Sequence, residues 1–138
     1  MKIASSQSTA ANAASACQNA YRSWLDKLGA EPHLIYLAWS VAYPIAELMS
    51  ELRKLAPTCR IHGSSSCLGG MTEEGFISDE GRGLTLLGIL DAEGSYGVGS
   101  AQISDSPRSA ATDALLAALE DADRPGEVPA LVRLSATP

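Results

Sequence analysis

A nearly unbroken apolar run from Leu34 to Trp39 is the feature that most constrains how this chain can fold. A run this short and this apolar is typical of a strand that is buried on both faces inside a mainly parallel sheet. Ser40 ends the run. A sheet of this kind has to be covered by helices, so the chain is expected to belong to the α/β class.

Helical patterns lie on both sides of this run. Before it, apolar residues recur at three- and four-residue steps up to Leu28, and Gly29 stands where a helix ends in a left-handed residue. After it, Pro44 suits the first turn of a second helix, which ends before Pro57. A third helix is predicted to begin at Pro107 and to present a narrow face of small residues suited to close packing. This face comprises Ala111, Ala114, Leu115, Ala118 and Leu119.

Other short apolar segments between the helices predict the remaining strands. Residues 1–6 form the first, residues 59–62 the third and residues 84–90 the fourth. Residues 96–104 alternate loosely and are expected to pair with the fourth strand in a hairpin, and residues 128–135 form the last strand. The predicted order is β-α-β-α-β-β-β-α-β. It describes an α/β fold with a mixed, largely parallel sheet, flanking helices and one β-hairpin.

The length of 138 residues fits a single domain over residues 1–138. Apolar residues make up 46% of the chain, enough for a packed core, which excludes a disordered protein. The predicted last strand is apolar and nothing follows that would cover it. One interpretation is therefore that the chain is the N-terminal portion of a longer domain.

Charge and hydropathy argue against two classes of partner, nucleic acids and membranes. The 10 basic and 16 acidic residues give a net charge of −6, and the basic ones are not clustered, which argues against nucleic-acid binding. No apolar run approaches the roughly 20 residues that span a bilayer, so no membrane partner is expected.

Cys17, Cys59 and Cys67 are an odd number at irregular spacing. This pattern indicates free thiols in a reducing compartment, and the predicted location is the cytoplasm.

Small hydroxyl residues follow three of the predicted strands where each one ends, beginning with Ser5 and Ser6. Strands joined by a helix run parallel, because a right-handed crossover returns the chain to the same end of the sheet. Ligands of open α/β sheets bind beyond these strand ends, where helix N-termini offer free amides. Hydroxyls and amides without clustered charge suit a small polar or anionic metabolite, such as an amino acid or a carboxylate. The candidate ligand-binding residues are Ser40, Tyr43, Gly63, Ser64, Ser65, Ser66 and Cys67.

A purely structural interpretation of the same residues stays open. Serines are ordinary loop and cap residues that satisfy their own backbone. The glycine- and serine-rich segment 63–70 has neither the Gly-Lys-Ser/Thr ending of a phosphate loop nor a dinucleotide-binding pattern, so no cofactor is predicted. No metal is predicted either. Strand alternation places Cys59 and His62 on opposite faces, and no fourth ligand is nearby.

Two other functions remain as alternatives. A small hydrolase would use Cys67 or Ser65 as the nucleophile and His62 as the base. No nucleophile elbow is present and no carboxylate near His62 in the sequence would orient it, so the chain is not expected to be an enzyme. A protein-interaction module would use the final strand, with Leu131 and Leu134, to add to another sheet or to form a homodimer.

These residues together resemble one family, the N-terminal FIST domain of F-box and intracellular signal transduction proteins. The similarity covers nearly the whole chain and is most specific at Ile61-His62-Gly63-Ser64-Ser65-Ser66. There the family shows an apolar strand, a glycine and a run of small Cys, Ser or Thr residues before a further glycine. The chain departs from the family at Ser64, where Cys is frequent, and at Gly70, where an acidic residue is frequent.

The resemblance implies a sensory role in intracellular signal transduction. The family is proposed to bind small molecules such as amino acids, and its partner is a signalling output domain or protein. The family domain is also longer than this chain. A ligand that binds one arrangement of the glycine-rich segment 63–75 more tightly than another would raise the population of that arrangement. The output partner would respond to this change in population.

Overall fold

The computed structural model describes residues 1–104 and 106–136. The chain forms two compact units, Met1–Ala92 and Glu93–Pro138, which are described separately below. A single domain over residues 1–138 stays a prediction. The first unit contains β1 (Lys2–Ser8), α1 (Ala13–Leu28), β2 (Leu34–Ser40), α2 (Ile45–Leu55), β3 (Arg60–Ser66), β4 (Gly70–Thr72), β5 (Gly75–Ile77) and β6 (Leu84–Leu90), and the second contains α3 (Pro107–Asp121).

A four-stranded mixed sheet with the order β1-β6-β2-β3 organises the first unit. Strands β2 and β3 pair in parallel, and β6 pairs antiparallel with both β1 and β2. It follows that β1, β2 and β3 run in the same direction and end at the same edge of the sheet. The predicted α/β class with a mixed sheet is therefore confirmed.

Helix α1 covers one face of this sheet and fixes which strand residues point inward. The indole of Trp24 lies against Gly88 of β6, and its Nε1–H donates to the carbonyl oxygen of Ala4 at 3.0 Å. Strand alternation then places Leu86 and Leu84 on the same face as Gly88. The core on this face also holds α2, and its most fully buried side chains include Trp24, Ile35, Leu37, Leu48, Leu52, Leu84 and Leu86.

The start and end of α1 follow from two local residues. Asn12 caps the helix, because its side-chain oxygen accepts the Ser15 amide at 2.8 Å. Gly29 ends it with φ near 81°, and its amide donates to the carbonyl of Leu25. The glycine predicted to end this helix therefore occupies the left-handed position, which a side chain would strain.

A short hairpin of the first unit lies on the face of the sheet opposite to α1. Strand β4 pairs with β5 and contacts β1, β6 and β2. Gly70 sits directly against Thr85, and a Cβ at Gly70 would overlap the threonine side chain. The hairpin can approach the sheet this closely because Gly70 has no side chain and the side chain of Thr85 is small.

Two predictions about the middle of the chain are wrong in position. Residues 63–66 do not leave the sheet, because β3 runs from Arg60 to Ser66 in parallel register with β2. The β-hairpin lies at residues 70–77 and not at 84–104. Residues 96–104 are described by the structure and form no strand.

Residues 96–104, in the second unit, contain a segment that packs against α3 instead of pairing as a strand. Gly97 and Gly99 lie on the small-residue face of α3, where a Cβ at either position would overlap the carbonyl oxygen of Ala118 or Ala114. The Val98 amide donates to Asp121 Oδ2 at 3.0 Å. The predicted small face of α3 does allow close packing, but its neighbour is an extended glycine-rich segment rather than a strand.

The predicted strand over residues 128–135 is also wrong. The structure describes these residues without any strand assignment, and Val128 and Leu131 are 93% and 87% exposed. A strand exists only through hydrogen bonds to a neighbour, so an apolar pattern alone cannot create one. Among the described residues, no helix is long and apolar enough to cross a membrane.

Candidate functional site at the strand ends

The ends of β2 and β3 lie side by side, as the parallel prediction requires. Ser40 and Ser66 are register partners, and the Val41 amide donates to the carbonyl oxygen of Ser66 at 3.0 Å. The structure therefore brings these two predicted site residues together at one edge. Strand β1 continues to Ser8, so Ser5 and Ser6 lie inside the strand, on opposite faces, and not at its end.

Ser40 and Tyr43 are buried at this edge and hold the turn that leads into α2. Ser40 is 0% exposed, and its hydroxyl accepts the Ala42 amide at 3.2 Å. The Tyr43 hydroxyl donates to the carbonyl oxygen of Ala10 at 2.5 Å, and burial raises the pKa of this phenol above its usual value. Neither hydroxyl reaches solvent in this arrangement, so a direct ligand contact from either stays a prediction.

Gly63 and Ser64 occupy opposite faces of β3. Gly63 lies on the helix-covered face, where a Cβ would overlap the backbone carbonyl of Leu37. Ser64 lies on the other face, and its Oγ is 3.0 Å from the hydroxyl of Tyr36. Packing alone therefore requires the glycine, whereas the serine is available for polar contacts.

The segment that follows β3 holds the remaining predicted residues. Ser65 and Cys67 are exposed. The hydroxyl of Ser66 donates to the carbonyl oxygen of Gly69 and accepts the Gly69 amide, which closes a tight turn. Exposed polar atoms at this edge therefore come from Ser65 and Cys67, while Ser66 shapes the turn.

Sequence reasoning named Ser5 and Ser40 but missed Thr85, and it missed that the three form a layer of buried hydroxyls on the hairpin-covered face. Ser5, Ser40 and Thr85 are each at most 7% exposed. Strand alternation places all three on the face away from α1. Thr85 interrupts the otherwise apolar run 84–90, and that interruption is the sequence signal that could have pointed to Thr85.

A group of polar contacts holds the tip of the hairpin over this layer. The Ser5 hydroxyl donates to the carboxylate of Glu73, and the side-chain Nε2–H of Gln7 donates to Glu74 Oε2 at 3.2 Å. Lys27 of α1 donates to the Ser5 carbonyl at 2.8 Å and forms an ion pair with Glu74 at 3.5 Å. The hydrogen bond from Ser5 lowers the pKa of the Glu73 carboxyl below its usual value.

The three thiols differ sharply in environment. Cys17 and Cys59 are buried, and burial raises the pKa of each to about 12, with Glu51 and Glu31 as the respective smaller electrostatic causes. A thiol with such a pKa is almost entirely protonated at neutral pH and reacts slowly. Cys67 is exposed.

The geometry does not favour the arrangement that a hydrolase would need. His62 lies on the hairpin face of β3, with its ring 5.7 Å from that of Tyr36. Ser65 has the opposite strand parity, so its side chain points away from that face. Among the residues that the structure describes, no group of three or more His, Cys, Asp or Glu side chains is arranged to hold a metal ion.

Comparison with known proteins identifies no relative of this chain. We found no match among protein-family models, curated proteins or solved structures. The resemblance to the FIST domain therefore stays a prediction based on the residues quoted above.

Proposed function

We propose that this chain is a small-molecule-binding sensory module of intracellular signal transduction, located in the cytoplasm and without enzymatic activity. Its ligand is a small polar or anionic metabolite, such as an amino acid. The observation that carries the proposal is the layer formed by Ser5, Ser40 and Thr85 on the hairpin-covered face of the sheet, which reaches the end of β2 at Ser40. The resemblance to the FIST domain supports the signalling role and an output domain or protein as the partner.

The physical cost of this layer supports binding rather than simple packing. Burying a hydroxyl is unfavourable unless it is hydrogen-bonded, and apolar side chains would stabilise a sheet face more. The bonds of two of the three hydroxyls are long, since Thr85 donates to the Ala38 carbonyl at 3.4 Å and Ser40 accepts the Ala42 amide at 3.2 Å, while Ser5 donates to Glu73. A polar ligand can replace such bonds with shorter ones.

Recognition would extend from this layer to the exposed turn after β3. Ser64 lies on the hairpin-covered face of β3, and Cys67 follows in the exposed turn, beside the edge where Ser40 and Ser66 meet. The ligand would then contact both the turn and the hairpin. If the ligand binds one arrangement of the segment 63–75 more tightly, it raises the population of that arrangement, and the output partner responds to the change.

The test is a thermal-shift screen of amino acids and small carboxylates against the chain and its Thr85→Val variant. A ligand at one hundred times its Kd stabilises the folded state by about 2.7 kcal/mol. We expect at least one compound to raise Tm, and Thr85→Val to weaken its binding about tenfold, because the shape is kept and a hydroxyl is lost. Thr112→Val, on α3, is the matched control and should bind as the parent does.

Two results would contradict the proposal. One is a screen in which no amino acid or carboxylate changes Tm. The other is a compound whose Kd is the same for the parent and for Thr85→Val. Turnover of a screened compound that is lost in Cys67→Ala and in His62→Ala would instead support the hydrolase alternative.

A second candidate function is supported by the exposed apolar segment near the end of the described residues. Val128, Leu131 and Leu134 are 93%, 87% and 62% exposed. Apolar side chains this exposed are typical of a segment that pairs with a partner or with a second copy of the chain. We expect sedimentation velocity to show concentration-dependent association that Leu131→Glu abolishes. A monomer at all concentrations would count against self-association.

A further inference from the structure

We propose that residues 69–83, here called the lid, open and close over the hydroxyl layer, and that Glu73 and Glu74 are the latch that holds the lid shut. The purpose of the lid rests on the proposed function, because it would control access to that site. Its opening does not require a ligand and can be tested without one. The lid lies entirely within the first unit of the chain.

The two ends of the lid form a hinge that contains no side chains. A Cβ at Gly83 would overlap the Cα of Gly69 and the amide nitrogen of Gly70, so the backbones at the entry and exit of the lid touch directly. Glycine has the widest range of backbone conformations, and Gly81 already has φ near 78°. Both ends can therefore rotate without dragging a side chain through the core.

The apolar anchorage of the lid in the sheet comes from Ile77, which pairs with Gly70 on the sheet-facing side of the hairpin and is partly buried. Met71 and Phe76, paired across the hairpin, are 72% and 58% exposed. Alternation along β4 points Met71 away from the sheet, while Gly70 and Thr72 face it. Opening therefore removes little apolar surface from the core, and local opening has a low cost when few buried apolar contacts are lost.

Polar contacts at the tip supply the closure. Glu73 accepts from Ser5, Glu74 accepts from Gln7 and pairs with Lys27, and Thr72 donates to Gln7 Oε1 at 3.0 Å. These contacts join the lid to β1 and to the last turn of α1. Exposed ion pairs and hydrogen bonds of this kind are individually weak, so the closed state depends on several acting together.

Opening of the lid would uncover Thr85, which Gly70 covers in the closed state. A ligand that takes over the hydrogen bond of Ser5 would compete directly with Glu73. Ligand binding and latch opening are then linked, because each removes the same contact. The outward Met71 and Phe76 would move with the lid.

The test measures how often Thr85 becomes accessible. The reporter is Thr85→Cys in a Cys67→Ser chain, labelled with a thiol reagent at neutral pH. Cys17 and Cys59 are buried, and Cys17 serves as an internal report of global unfolding. We expect Glu73→Ala with Glu74→Ala to raise the labelling rate at position 85 at least tenfold and to leave the rate at Cys17 unchanged.

The matched control is Glu93→Ala with Glu120→Ala, which removes two exposed carboxylates elsewhere and should leave the labelling at position 85 unchanged. If the reporter does not fold, hydrogen exchange of residues 70–77 in the otherwise unmodified chain gives the same comparison. Equal rates in the latch variant and the control would overturn the lid. So would labelling at Cys17 that rises in step with position 85. A lid that opens while no screened compound binds would leave the lid standing and contradict only the proposed function.

Discussion

Gly88→Val is expected to destabilise the fold severely. A Cβ at position 88 would lie closer than 3.0 Å to three ring atoms of Trp24, a separation that real Cβ atoms essentially do not show. The indole cannot move aside, because it is 1% exposed and its Nε1–H is bonded to Ala4 in β1. Overpacking commonly costs about 1–3 kcal/mol, and a rigid ring with its hydrogen bond at stake should bring the cost to about 4 kcal/mol or more.

Urea denaturation of the parent, Gly88→Ala and Gly88→Val checks this result. Domains of this size have a total stability of about 5–15 kcal/mol, so the valine variant should lose between about a quarter and most of its stability and unfold at a clearly lower urea concentration. Leu87→Ala is the neighbouring control. Leu87 is 40% exposed on the other face, and its loss should cost about 1 kcal/mol or less. A Gly88→Val midpoint near that of the parent would show that α1 does not rest on β6 as described.

Gly63→Ala should destabilise the chain by about 2–3 kcal/mol, although Gly63 was predicted as a ligand-binding residue. Its added Cβ would overlap the carbonyl of Leu37 on the adjacent strand, and backbone within a sheet cannot shift as a flexible side chain can. Ser65→Ala, two positions along and exposed, should change the unfolding free energy by less than about 0.5 kcal/mol.

The comparison of these two variants separates binding from packing at the strand ends. Equilibrium unfolding gives the stability change, and the Kd of any compound found in the thermal-shift screen gives the binding change. Weaker binding in Gly63→Ala accompanied by the expected loss of stability would reflect a distorted β3. Equal stability of the two variants would show instead that Gly63 tolerates a side chain and that its packing role is wrong.

Most of the first unit could be predicted because local patterns and tertiary contacts agree there. The run 34–40 is a strand, and the segment 84–90 is a strand. The helix before Gly29 ends at Leu28 as predicted, because the glycine takes the left-handed conformation that ends helices. The shared direction of β1, β2 and β3 also followed from the helices between them.

The candidate site was predictable only in part. Ser40 and Ser66 do meet at one edge, as parallel strands require. The burial of Ser40 and Tyr43 depends on what packs over them, which no local pattern records. Thr85 was missed because it lies in a segment far along the chain from the other site residues and becomes their neighbour only when β6 lies between β1 and β2.

The amino-acid sequence by itself determined the α/β class, the positions of the three helices and the direction of the first three strands, because each depends on periodicity, capping residues and crossover handedness within short stretches. Tertiary structure alone decided that β6 lies between β1 and β2, that the hairpin forms at 70–77, and that residues 96–104 and 128–135 form no strands. The physical reason is that a strand requires a hydrogen-bonded neighbour, and the choice of neighbour depends on the packing of the whole unit rather than on the residues of the strand.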